Sequence, residues 1–376
     1  MEPLDKLNRL TESHGALRTG TGMISGVIAL TLAILCLLGI LAFHFPEYLT
    51  TPQLRKSYNV DALRLLMFWS MVLAGAIALF NIIRGRARWL AFAAFVLIGL
   101  TLALGGHKVP VGDFADGTPY IGLDWFILDL LGSTLIFVFI EKLFALRKDQ
   151  PIFRPEWQTD FHHFIVNHMV VGFVLLATNL LVHELFGWAA KDGIRAWVQD
   201  LNFFVAVFLI VLVADLVQYW THRAYHEVPL LGRLHAVHHS VKSMDWLAGS
   251  RQHILELLIT RTLILAPIYV LGFSNEVIDA YIVIVGFQAV FSHANVSVRL
   301  GPLRHVIVTP NFHHWHRSAD AEAIDRNYAA RFAFLDHLFG TAAKADRAWP
   351  ERYGVVGDYV PNGYLRQLAF PFLWKP

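Results

Sequence analysis

Between Met23 and Leu146 the sequence returns four times to a nearly uninterrupted apolar run: Met23 to Phe45, Leu65 to Ile83, Trp89 to Leu104 and Trp125 to Leu146. About 20 apolar residues are what a helix needs to cross roughly 30 Å of hydrocarbon. A helix also satisfies its own backbone polar groups there, which an isolated strand cannot do. The chain is therefore expected to be an all-α, polytopic membrane helical bundle. Composition agrees: 56% of residues are apolar, 16% are charged and the mean hydropathy is +0.48, far from a soluble globule. A formal charge of only +2 supplies no basic surface for nucleic acid, so nucleic acid is excluded as a partner. The single cysteine, Cys36, lies inside an apolar run, which excludes an intrachain disulfide and every cysteine-based metal motif. Roughly twenty polar residues precede the first run, which is too long for a signal core and is expected to stay as an anchor.

Two further runs, Phe164 to Phe186 and Phe203 to Trp220, carry Asn167, His168, Asn179, His183 and Asp215. Their polar faces should look into protein rather than lipid. Leu263 to Phe273 and Val277 to Phe291 are shorter and joined by GFSNE; a re-entrant or tilted hairpin is expected there. Lys and Arg set the topology. With a cytoplasmic amino terminus, Lys6, Arg9, Arg18, Arg84, Arg86, Arg88, Lys142, Arg147, Lys148 and Arg154 lie inside. Arg55, Lys56, Arg64, Lys108, Lys191 and Arg195 lie outside. Everything polar after His222 then falls on the cytoplasmic side as a histidine-rich helical cap. The polar loop at 147–160 marks the expected boundary between a four-helix module, 1–150, and a histidine-bearing domain, 151–345. A tail, 346–376, follows; its ending LAFPFLWKP suits a membrane interface.

Of 19 histidines, eleven fall between residues 222 and 316. Their spacing is more informative than their number, because residues at i, i+3 and i+4 share one helix face. His222 and His226 form an i, i+4 pair. His235, His238 and His239 form an i, i+3, i+4 set, with Pro229 and Gly232 between the two sets to turn the chain. TPNFHHWHRS supplies His313, His314 and His316, and FSHANV supplies His293. Scattered surface histidines would not need repeated pairing at the ends of membrane segments. With no thiolate available, this many imidazoles suit two metal ions of four to five nitrogen ligands each, and imidazole alone admits zinc, copper, iron or nickel.

The boxes HRAYH, HAVHHS and TPNFHHWHRS, the last followed by DRNYAARFAFLDHLFGT, resemble those of the fatty acid hydroxylase and sterol desaturase superfamily of membrane di-iron enzymes, over residues 160–341. The resemblance implies that His222, His226, His235, His238, His239, His293, His313 and His316 hold two iron ions that activate dioxygen. One position departs from the pattern. Where the last box would end in histidine this chain has Arg317, which has no lone pair to offer a cation. His253, His314 or water are the candidates to fill that place. Asp215, two turns before His222, is expected to orient a ligand imidazole, and Asn327 and Tyr328 match the family's NY pair, with a packing, hydrogen-bonding or catalytic role. His162, His163, His168 and His183 are expected in polar contacts between helices, and His337 in a structural role.

The implied activity is hydroxylation of a C–H bond in a lipid, fatty acyl or sterol-like, entering from the bilayer. Desaturation and alkylglycerol ether cleavage are the alternatives within the family. A metal-depleted pseudoenzyme or lipid-binding membrane protein is the alternative outside it, because of Arg317. No flavin, haem or nicotinamide fingerprint is present, which implies an external electron donor of reductase, ferredoxin or cytochrome b5 type. A bacterial inner membrane is favoured over the endoplasmic reticulum.

Overall fold

The computed structural model describes residues 22–55, 58–113, 120–343 and 349–373. Lys6, Arg9, Arg18, Lys56 and the last three residues of the tail lie outside them. Among the described residues the secondary structure is helical, with no strand. Seven helices are long and apolar enough to cross a membrane. The chain divides into two compact units, 1–128 and 129–376.

The first unit packs α1 (Met23–His44), α2 (Val60–Ile83) and α3 (Arg88–Ala103) against one another. Ala29, Ala33, Ala78, Ala91 and Ala94 form the seam. Small residues are what let helices approach in lipid, where water drives no association. At Gly26 a Cβ would come within 2.7 Å of Leu90, so the closest approach depends on a missing side chain. α2 starts earlier than the apolar run because the Asn59 side chain caps it through the Ala62 N–H at 3.0 Å. The next helix, α4 (Leu123–Leu143), begins in this unit and runs into the second.

The second unit continues with α5 (Trp157–Met169), α6 (Val171–Phe186) and α7 (Asp192–Gln199). Next come α8 (Phe203–Glu227), α9 (Pro229–His239), α10 (Ile254–Leu271) and α11 (Asn275–His293). Three short helices complete it, α12 (Pro310–His316), α13 (Phe334–Leu338) and α14 (Tyr364–Leu373). Its apolar core joins Ala206, Ile210 and Ala214 of α8 to Ile264 and Ile268 of α10 and to Val277, Tyr281 and Val285 of α11. The four-residue spacing on α8 and on α11 puts each set on one face. Phe204, Val205, Phe208 and Trp220 on the rest of α8 stay exposed, as lipid-facing residues would.

Two expectations change. The segment 263–291 is not a short re-entrant hairpin: α10 and α11 are 18 and 19 residues long and both are of spanning length. Glu256 and the bend-tolerant Pro267 interrupt the apolar pattern of α10 without ending the helix, because Glu256 is buried against protein. The run 164–186 is instead split, with α5 ending at Met169 and α6 starting at Val171.

Polar contacts fix which helix ends lie together. Leu146 and Ser297 pair the end of α4 with the end of α11 through Leu146 N to Asn295 O at 3.2 Å and Ser297 N to Phe144 O at 2.7 Å. His163 of α5 reaches the Gln252 carbonyl before α10 at 3.1 Å. At the opposite end, Arg195 and Gln199 donate to the carbonyls of Tyr269 and Gly272, each at 3.0 Å. α5 and α6 together therefore carry the chain from one end of this unit to the other. The ends of α4, α8 and α11, the start of α10 and all the histidine boxes share one end.

Candidate metal centre

α8 delivers His222 and His226 from its last turns, and Val228 and Pro229 then turn the chain into α9. Pro229 fits at the first helical position, where its missing N–H costs nothing. Gly232 lets α9 fold back closely, since a Cβ there would stand 3.1 Å from the Tyr225 carbonyl. α9 ends in His235, His238 and His239, α11 ends in His293, and α12, capped by Thr309, carries His313, His314 and His316.

These elements gather eight of the expected histidines into two groups. His222, His226, His235, His239 and His316 form one, and His238, His293 and His313 the other; within each, the ligand nitrogens lie within 4.8 Å of one another. Neighbouring boxes are shared between them. The first and last histidines of HAVHH go to the five-histidine group and the middle one to the three-histidine group.

The outward nitrogens are anchored. His222 Nδ1 lies 2.7 Å from the Tyr328 carbonyl, His238 Nδ1 2.9 Å from that of Arg251, His293 Nδ1 2.7 Å from that of Ala289 and His316 Nδ1 2.8 Å from that of Arg326. Two carboxylates do the same work: Glu256 Oε1 is 2.8 Å from His235 Nδ1, and Asp325 Oδ1 is 3.2 Å from His226 Nδ1. A carbonyl can only accept, so Nδ1 of His222, His238, His293 and His316 carries the proton and Nε2 of each is left with a lone pair; a carboxylate facing Nδ1 favours the same tautomer in His235 and His226.

The Nε2 atoms converge. Nε2 of His235 is 3.0 Å from that of His222 and 3.1 Å from that of His239, and Nε2 of His293 is 2.9 Å from that of His313. Nε2 of His226 and of His316 are buried with no partner at all. Two lone pairs facing at such a distance repel unless a cation lies between them. Nitrogens about 2.1 Å from one ion and at right angles around it are about 3.0 Å apart, so the residues fit a metal.

Burial also keeps the imidazoles in their ligating form. It holds His235, His238, His239, His313 and His316 well below the ordinary histidine range, with neighbouring cationic groups adding to the effect.

The other candidates sit differently. His314 is fully buried, but its Nδ1 is 2.8 Å from the Tyr353 hydroxyl and its Nε2 3.1 Å from the Ala294 carbonyl. His253 caps α10 by accepting the Leu255 N–H at 3.2 Å, while its Nε2 is 3.0 Å from the Leu368 carbonyl. Neither joins a histidine group. Asp215 does not reach a ligand imidazole either. Its carboxylate takes the N–H groups of Ala330, Arg331 and Phe332 at 2.7–3.1 Å, because the loop that brings the Tyr328 carbonyl to His222 needs its own amides satisfied.

Asn327 adopts a left-handed backbone, with φ at 60°, which asparagine tolerates better than most residues. Its side chain bridges the Phe312 carbonyl and the Ala343 N–H at 2.9 and 2.7 Å. Tyr328 contributes its carbonyl, and its ring lies 5.2 Å from that of His226. Among the histidines expected in interhelical contacts, His168 lies 2.6 Å from Asp129, whereas His183 is largely exposed.

Sequence reasoning missed Glu256, Asp325 and Gly249. A Cβ on Gly249 would stand 2.9 Å from His293 Nδ1. Glu256 had a signal, an acid within an apolar helix, of the same kind that drew notice to Asp215. Behind His238, Arg251 hydrogen-bonds the buried carboxylate of Asp160, which also takes Arg154 at 2.5 Å; this network fixes the carbonyl that His238 uses.

Known proteins resemble this chain in sequence. Residues 207–341 match the fatty acid hydroxylase family. An ornithine lipid hydroxylase, OlsE, of Rhizobium tropici is 28% identical over 254 residues, 67% of this chain and 76% of that protein. An alkylglycerol monooxygenase of Danio rerio is 27% identical over 203 residues, 54% of this chain and 43% of that one. A putative methylsterol monooxygenase of Dictyostelium discoideum is 26% identical over 207 residues, 52% and 72%. No solved structure matches. Residues 207–341 are thus similar to the fatty acid hydroxylase family, and the relatives matched are lipid hydroxylases and monooxygenases. These matches indicate a lipid oxidoreductase, in a chain with seven helices of membrane-spanning length and histidine clusters able to hold metal.

Proposed function

We propose that this protein hydroxylates a C–H bond of a membrane lipid, using dioxygen and two electrons from a separate donor, with iron held by the eight grouped histidines. The balance is one C–H bond and one O2, with two electrons and two protons, giving C–OH and water. The observation that carries the reading is the convergence of imidazole Nε2 atoms at the end of helices whose outer faces are exposed and apolar. Iron, when bound, supplies the activation of dioxygen. The chain's own residues do the rest: carbonyls and carboxylates fix each ring, burial keeps the imidazoles neutral, and α8, α10 and α11 offer an apolar surface to an acyl chain. Hydroxylation is favoured over ether cleavage because the alignment to the ornithine lipid hydroxylase spans more of both chains than that to the alkylglycerol monooxygenase.

The electron donor is proposed to be a reductase, ferredoxin or cytochrome b5 type protein docking at the histidine end. That end is assigned to the cytoplasm, in a bacterial inner membrane. Lys142 in the last turn of α4 and Arg147, Lys148 and Arg154 after it lie on the same end as the histidines, against Lys191 and Arg195 at the other, which supports this orientation by the positive-inside rule. Domain limits of 1–150, 151–345 and 346–376 remain our proposal.

The test is turnover in nanodiscs of bacterial lipids, with Fe(II), a ferredoxin and its reductase, under 18O2. A lipid product heavier by one 18O atom is expected. Metal-loaded protein that consumes no oxygen and leaves every lipid mass unchanged would sink the reading.

A further inference from the structure

We infer that the two histidine groups differ in metal affinity because Arg317 occupies the fourth position of the smaller one. The chain then holds one ion firmly on the five-histidine group and a second only weakly on His238, His293 and His313. This rests on the histidines being ligands, as proposed above.

The argument comes from how the boxes divide. HAVHH sends its first and last histidines, His235 and His239, to the five-histidine group and its middle one, His238, to the other. The last box has the same spacing with the shares reversed. His316 goes to the five-histidine group and His313 to the smaller one. The residue four after His313, on the same helix face, is where a matching fourth nitrogen would come from, and that residue is Arg317.

Its side chain does not swing away. Arg317 is fully buried and its Nη2 donates to the carbonyl of His238. Nε and Nη1 are buried with no hydrogen-bond partner. A guanidinium has five donors and no acceptor and keeps its charge in proteins. It therefore sets a fixed positive charge beside the smaller group where a lone pair would be needed. No other imidazole makes up the loss, since both ring nitrogens of His314 and of His253 are already engaged.

The full-length protein in detergent, loaded anaerobically with Fe(II) or Co(II) and equilibrated against a weak competing chelator, tests this. Metal per chain is then measured by mass spectrometry. Wild type is expected to retain one ion, with a second entering only at free metal at least about tenfold higher. Arg317→His is expected to retain two under the first condition. Co(II) spectra should show an isolated high-spin ion in wild type and a coupled pair in Arg317→His.

Two ions of equal affinity in wild type would overturn the inference while leaving the histidines as ligands. No retained ion in wild type would overturn both. Should Arg317→His fold poorly, single-site variants of the wild type give the same answer. His313→Ala should keep the firmly held ion and His239→Ala should lose it; loss in His313→Ala overturns the assignment.

Discussion

Nδ1 of His235 lies 2.8 Å from Oε1 of Glu256, with both side chains nearly sealed from solvent. The contact fixes the tautomer of the one ring whose Nε2 is shared at 3.0 and 3.1 Å with both His222 and His239. Outer partners of ligand histidines typically contribute about 10- to 100-fold in metal affinity. Glu256→Leu should therefore weaken Co(II) binding at the five-histidine group by about that factor. Glu256→Gln should retain part of it, because the amide oxygen still accepts. Equal titrations of the leucine variant and wild type would exclude the orienting role.

Gly249 leaves room that His293 fills, so Gly249→Ala should force the imidazole aside. Overpacking of this kind costs about 1–3 kcal/mol. The expected result is a lower melting temperature in the metal-free protein, together with loss of the weaker metal-binding step. An alanine variant with unchanged melting and unchanged second-step binding would show that the ring is not confined there.

Asp215 acts on the fold of the site rather than on a ligand. Asp215→Ala leaves three part-buried amides of 330–332 without their acceptor; a fully buried group stripped of its partner costs about 1–3 kcal/mol, and with water able to reach part of this loop stability should fall by about that much in total. Metal bound per folded chain should not change. A variant of wild-type stability that loses its metal would reverse this assignment.

Acid should destabilise the metal-free protein. His235, His238, His239, His313 and His316 are held well below the ordinary range, and burial pushes His314 down to about 3. In the unfolded chain these groups titrate near about 6.5. Below that pH the unfolded state binds more protons than the folded one, so stability falls as pH falls toward the folded-state values. Each such group contributes about 1.4 kcal/mol per pH unit in that window. Melting temperatures should be level above about pH 7.5, one unit clear of the unfolded-state value, and drop steeply between pH 6.5 and 5. A flat profile down to pH 5 would contradict the buried neutral state.

Much of this was legible in residue order. Apolar runs of spanning length announced α1 to α4 within a few residues, since lipid leaves a helix little choice. The i, i+3 and i+4 spacings picked out seven of the eight grouped histidines; His293 stands alone in FSHANV and was tied to them by the family resemblance. Their division into five and three was not legible, because it depends on how α9 and α12 cross. α10 and α11 read as too short, since Glu256 counts against a span in sequence but is buried against His235 in space. The orienting carboxylates Glu256 and Asp325 lie 21 and 99 residues from their partners, beyond any local pattern. Asp215 was noticed for the right reason, a buried charge in an apolar helix, yet its partners are backbone amides that sequence does not display.

Four of the eight rings are gripped by main-chain carbonyls, at Arg326, Tyr328, Arg251 and Ala289. Every amino acid carries that oxygen. The side chain at such a position matters to the grip only through the course of the backbone, as the Arg251 pairing with Asp160 does behind His238. Two descendants of a common ancestor can thus preserve the geometry of their centre while sharing few letters around it.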